Sequence, residues 1–219
     1  MQSLEKESAS ITMVGSFNPS IFQPRWLGSL DLIRVQEAEN STIDIIQAQV
    51  ADFQTDWFRM QVLQNRFLLQ SLDATHYGPL RDLAAGVFTL LSHTPVSRMA
   101  MSRWFHYKME SAQEWHNFGH KLAPKELWFP LIEVPGLRSM VMQGKRRGVS
   151  DGNLFVKVEP SLLVQPGLFV EVTEDFVKWP DAEAEDAQWV PGRLRKHWDD
   201  MMKYAEDVAR NLVEGLARK

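Results

Sequence analysis

The chain contains no cysteine. That excludes disulfide staples, thiolate metal sites and a cysteine nucleophile, and it fits a reducing cytoplasm. No run approaches the ~20 apolar residues that a membrane-spanning helix needs. Basic residues are in deficit: 24 Lys and Arg stand against 28 Asp and Glu, a formal net charge of −4. Proteins that grip nucleic acid usually show the opposite balance, because phosphate neutralisation supplies much of their affinity. Reaction signatures are missing too. There is no G-x-x-x-x-G-K-[ST] phosphate loop, no G-x-G-x-x-G and no H-E-x-x-H. Ser16 lies in G-S-F-N-P, not in the nucleophile elbow G-x-S-x-G. Asp31, Asp44, Asp52 and Asp56 are scattered, with nothing to pair them for acid–base work. These absences lean away from an enzyme and from a resident cofactor.

What remains is a well-stocked globular sequence. Its 219 residues suit one large domain or two small ones, and 44% hydrophobic content supplies a sizeable core. Eight tryptophans are many for this length. Trp26, Trp104, Trp115, Trp128, Phe129 and Trp189 are core-packing candidates, and one or two at a surface would serve as anchors for a partner.

Period changes along residues 57–107 set the fold class. Phe58, Met60 and Val62 alternate with Arg59 and Gln61, as on a strand with one buried face. Leu80, Leu83, Ala84, Val87, Phe88 and Leu91 then recur at three and four, as on a helix with one buried stripe. Elsewhere, residues 11–14, 43–53, 96–107, 137–143, 154–159 and 168–173 read as strands, the second with a bulge. Asn18-Pro19 and Ser111-x-x-Glu114 read as helix starts. A last helix, striped by Leu194, Trp198, Met201, Ala205, Val208, Leu212 and Leu216, begins after Pro191-Gly192. The expected fold is α+β: a mainly antiparallel sheet of about seven strands with about four helices, largely on one face, and a long C-terminal helix. Residues 1–10 read as a disordered, frayed tail and not a secretory signal, 11–180 as the α+β domain, and 181–219 as an acidic linker and an amphipathic helix that packs on the domain or on a partner. Both halves pair strands with a helix, but no repeat of solenoid length is visible.

Several motifs carry a resemblance. M-V-G-S-F-N-P with the R-W-L and D-L-I that follow, W-F-x-M-Q-V-x-Q-x-R-F at 57–67, H-T-P at 93–95 and L-A-P-K-E-L-W at 122–128 resemble a group of bacterial proteins of no assigned activity. That resemblance spans most of residues 11–176. Residues 57–108 are also similar to a second, sporadically distributed bacterial family, with its strand, helix and strand ending in an Arg-aromatic pair. Neither brings catalytic residues. Sporadic distribution implies a sensor or adaptor in a phage-defence or other multi-gene system.

Four constellations are candidates for recognition. Arg98 and His106 share one face of a long strand with Ser102, while Arg103 falls on the other with Met99, Met101 and Phe105. An arginine on an apolar face must be paired or reach water, so Arg98, Arg103 and His106 are either a clamp for an anionic ligand or, for Arg103 with an acid such as Glu133 or Asp56, a core ion pair. Lys145, Arg146 and Arg147, in a turn with Arg138 and Lys157 on flanking strands, could hold an anion, an acidic partner or a phosphate backbone, against the plainer reading of a solvated turn. Trp189, Trp198, Met201 and Met202 on the last helix are candidates for a protein interface. His116 and His120 share a helix face, but zinc needs three or four ligands and the set is incomplete, so a metal is disfavoured. The favoured function is a non-enzymatic recognition or assembly protein with a protein partner or a second copy of itself. The alternatives are a small anionic-ligand site in the sheet, enzymatic or not, and nucleic-acid binding through the basic turn.

Overall fold

The structure, a computed structural model, describes residues 2–148, 152–177 and 186–217. Among them are nine strands: β1 (Ser3–Gly15), β2 (Thr42–Ile46), β3 (Val50–Gln54), β4 (Arg59–Leu63), β5 (Arg66–Ser71), β6 (Val96–Lys108), β7 (Met140–Gly144), β8 (Asn153–Pro160) and β9 (Gly167–Val177). They form one sheet in the order β2-β3-β4-β5-β1-β6-β9-β8-β7. Every neighbouring pair is antiparallel. Five helices accompany it: α1 (Pro24–Ser29), α2 (Val35–Glu39), α3 (Tyr77–Leu90), α4 (Ala112–Leu122) and α5 (Trp189–Ala217).

The topology has two similar halves. β1 leads into a meander whose last strand, β5, returns beside β1 and hands over to α3. β6 leads into a meander whose last strand, β9, returns beside β6 and hands over to α5. The two long leading strands pair with each other at the centre of the sheet, Ser10 opposite Ser102.

Alternation decides which face the helices cover. Ala9, Ile11 and Met13 on β1, Met99, Met101 and Phe105 on β6, and Val170 and Val172 on β9 are buried on one face. Ser10, Ser102 and Thr173 lie in one row on the other. α3 buries Leu80, Leu83, Ala84, Val87 and Phe88 on the apolar face, and α5 buries Leu194, Trp198, Met201, Ala205, Ala209 and Val213. Spacings of three and four put each set on one stripe, which is why both helices lie flat on the sheet and against each other. Arg81 on α3 donates to both carboxylate oxygens of Asp199 on α5, at 3.0 and 2.8 Å. Gly15 ends β1 at a point where a Cβ would collide with the carbonyl of Pro95.

Three expectations are corrected. The supposed frayed tail is most of β1, paired with β6 as far as Ser3 opposite Lys108. Glu5, Lys6 and Glu7 hide it from a hydrophobicity reading: the first two are exposed, and Glu7 pairs with Arg103 of β6. Residues 43–53 are a hairpin, β2 and β3, closed where the Gln47 amide donates to the Val50 carbonyl at 2.8 Å. That is one reason the sheet has more strands than expected; the change of face between Ile45 and Ala48, expected to be a bulge, leads into the hairpin turn, and a register shift lies instead between Ile43 and Ile45. Finally, α5 starts at Trp189, with Pro191 inside its first turn, where a missing amide costs nothing. Of the acidic linker, residues 181–185 lie outside the described residues.

Candidate functional site

The presumed clamp is divided between the two faces of the sheet. Arg103 lies on the helix-covered face. Its Nη2 donates to Glu7 Oε2 at 2.6 Å, its Nε to the same oxygen at 3.2 Å, and its Nη1 to Glu206 Oε2 at 3.0 Å and the Met202 carbonyl at 2.9 Å. The guanidinium also sits 5.4 Å from the Tyr77 ring centre and 5.0 Å from that of Phe105. All three nitrogens are engaged, tying β6 to β1 and α5. The acids are Glu7 and Glu206, not Glu133 or Asp56. Burial pushes the nearby Tyr77 phenol well above its ordinary value and that of Tyr107 up to about 12.

Arg98 and His106 lie on the open face. Arg98 donates to Asp175 at 2.5 Å. His106 Nδ1 is 2.8 Å from Ser161 Oγ, and its ring packs against Trp104 and Phe169. A serine beside a histidine suggests a nucleophile, but both are buried, and Ser161 Oγ also accepts the amides of Leu163 and Val164 at 3.2 and 2.9 Å. The pair fixes a loop over the sheet. Burial, with Lys6 adding to it, holds the imidazole below its ordinary pKa.

The sign of that shift makes a prediction. The fold favours neutral His106, so its contribution is present above the ordinary value of about 6.5 and is lost as pH falls through the lower folded-state value. The urea midpoint should therefore decline as the solution is acidified below about 6.5, and His106→Gln should flatten that decline. Equal slopes for the two proteins would contradict it.

The basic turn is divided as well. Arg146 is 8% exposed and turns inward, with Nε and Nη2 each 3.0 Å from an oxygen of Glu174, itself 1% exposed. Its guanidinium lies 5.8 Å from the Tyr204 ring centre. Lys145, Arg147 and Arg138 are exposed, while Lys157 pairs with Glu159 at 2.9 Å. The cluster loses its central member to the core, because a buried Glu174 requires a partner.

The interface expected on the last helix is also corrected. Trp198, Met201 and Met202 are buried against the chain's own sheet, and the Trp189 indole donates to the Val96 carbonyl at 3.2 Å. His116 and His120 are exposed on α4. Among the described residues no group of three or more His, Asp or Glu converges as a metal site would require.

The surface that stands out is one that sequence reasoning touched through Trp128 and Phe129 alone, as core-packing or anchor candidates. Residues 127–134, L-W-F-P-L-I-E-V, form no helix or strand. Leu127 is 79% exposed and Val134 93%, with Trp128, Phe129, Leu131 and Ile132 exposed between them. Val134 has a φ of 48°, a left-handed conformation unfavourable for a β-branched residue. The chain then passes over a cavity of about 130 Å³ between α4 and β8, lined by Trp115, Gly119, Leu122 and Val158 among others. Six residues later it enters β7, the sheet edge, where Val141 and Met142 are exposed. Val141 and Met142 are adjacent on the strand and face opposite sides of the sheet, so Met142 alone of the two lies on the side of α4. The signal was present in the sequence: an apolar run with neither period two nor period 3.6, broken by proline, has no place in a core element.

No protein-family model matches this chain, and no curated protein sequence matches it significantly.

Proposed function

We propose that this protein is a recognition and assembly protein that acts by protein–protein contact and not by catalysis. The observation that carries this reading is the exposed apolar corner at residues 127–134. Exposed Trp, Phe, Leu and Ile side chains grouped on one surface lose water favourably only when another surface covers them. Trp128 and Phe129 have the character of interface anchors: large, rigid and exposed. The rest of the molecule supports the reading. Arg103 and Arg146, the two arginines best placed to be a clamp or an anion grip, are fully occupied by the core.

The test replaces Phe129 and Ile132 together by Asp and compares native mass with that of the unaltered protein at micromolar concentration. Both positions are exposed, so circular dichroism and melting should hardly change. The unaltered protein should form species heavier than its 25.2 kDa chain, and the double variant should not. Two monomeric proteins would overturn the reading.

A further inference from the structure

We propose that the cavity between α4 and β8 is a ligand site for a small aromatic carboxylate, its ring among the apolar walls and its charge at Lys125. This site goes beyond the assembly reading and does not rest on it. The space measures about 130 Å³, and its walls come from α4, β8, β9 and the chain at 134–137. An engineered cavity of about 150 Å³ with walls of the same chemistry takes up benzene. The volume therefore sets the size of the occupant at about one six-membered ring. Trp115, Leu122, Leu137, Val158 and Leu168 supply faces against which such a ring loses water favourably.

Two features point to an occupant. Trp115, Gly119 and Leu122 recur at four and three, so one stripe of α4 faces the cavity. A glycine inside a helix is destabilising, and a close neighbour is the usual reason for one. Gly119 has no such neighbour: a Cβ there would meet no atom within 4 Å. The chain's own packing does not demand this glycine, whereas a ring lying against that wall would. The second feature is Lys125, which is half-buried at the cavity and has no carboxylate paired with it among the described residues. Glu159, the carboxylate among the lining residues, is taken by Lys157 at 2.9 Å. An ammonium drawn partly out of water favours an anion beside it, and a carboxylate carried on a ring held inside supplies that anion.

Benzoate is the probe, followed through the Trp115 indole and Gly119 amide signals in a heteronuclear NMR titration of the full chain. Millimolar benzoate should shift both signals. Lys125→Gln should weaken its binding about tenfold, the usual worth of a hydrogen bond to a charged group. Benzyl alcohol, which has the ring without the charge, should bind the unaltered protein and Lys125→Gln alike. Gly119→Leu puts a side chain into the space. It should abolish binding of both compounds while the melting temperature holds or rises, since leucine is the better helix former and its Cβ meets no neighbour. If millimolar benzoate shifts neither signal, or if Gly119→Leu binds as the unaltered protein does, the cavity is not the site proposed. If Lys125→Gln weakens both compounds equally, or neither, the ligand is not held by its carboxylate and the assignment falls.

Discussion

Replacing Glu174 by Leu is expected to destabilise the protein by about 3–5 kcal/mol, the effect of leaving one buried charge without its partner. Glu174 on β9 is 1% exposed and holds Arg146 through two hydrogen bonds of 3.0 Å. Without it, the guanidinium is left beside Tyr204 under α5, with neither water nor carboxylate to compensate its charge. Arg146→Met should be damaging for the mirror reason. The double variant Arg146→Met/Glu174→Leu should recover much of the loss, because removing both charges removes both desolvation penalties. Urea unfolding of the four proteins measures this. If each single variant unfolds within about 1 kcal/mol of the unaltered protein, the pair is not the buried bridge described here.

Arg103→Met is the second large effect, expected at about 3 kcal/mol. The change strands Glu7 and removes the side-chain donor from the Met202 carbonyl, while the Glu206 carboxylate, half exposed, can turn to water. The loss should therefore fall at the lower end for a broken buried pair. The outcome also separates two roles that residue type alone leaves open. A fall in melting temperature marks a residue that binds β1 and α5 to β6. A variant that melts normally would instead mark an arginine held ready for a ligand.

Much of this architecture was legible in the sequence, for identifiable reasons. The alternation that put Arg98, Ser102 and His106 on one face and Arg103 with Met99, Met101 and Phe105 on the other holds in β6, since a strand's side-chain period leaves little freedom. The Ser111 cap forms, its Oγ accepting the Glu114 amide at 3.1 Å, although Glu114 reaches back to the Glu110 amide. The α5 stripe folds inward largely as its period required. What failed depended on partners far away in the chain. Nothing local marks Glu5, Lys6 and Glu7 as a strand; the pairing with residues 105–108 does. Nothing local tells that Arg146 would leave its basic neighbours for Glu174, 28 positions away. The last helix looked like an interface because its apolar stripe needs cover, and its own sheet supplies that cover. The surface that does lack cover lies in residues 127–134, where an irregular apolar segment offers no periodicity to notice.

The mass of the unaltered protein in solution, measured by sedimentation equilibrium over a range of concentrations, tests the central claim most directly. Self-assembly through the apolar corner predicts a species of twice the 25.2 kDa chain mass that dissociates on dilution. A single 25.2 kDa species at every concentration would contradict it.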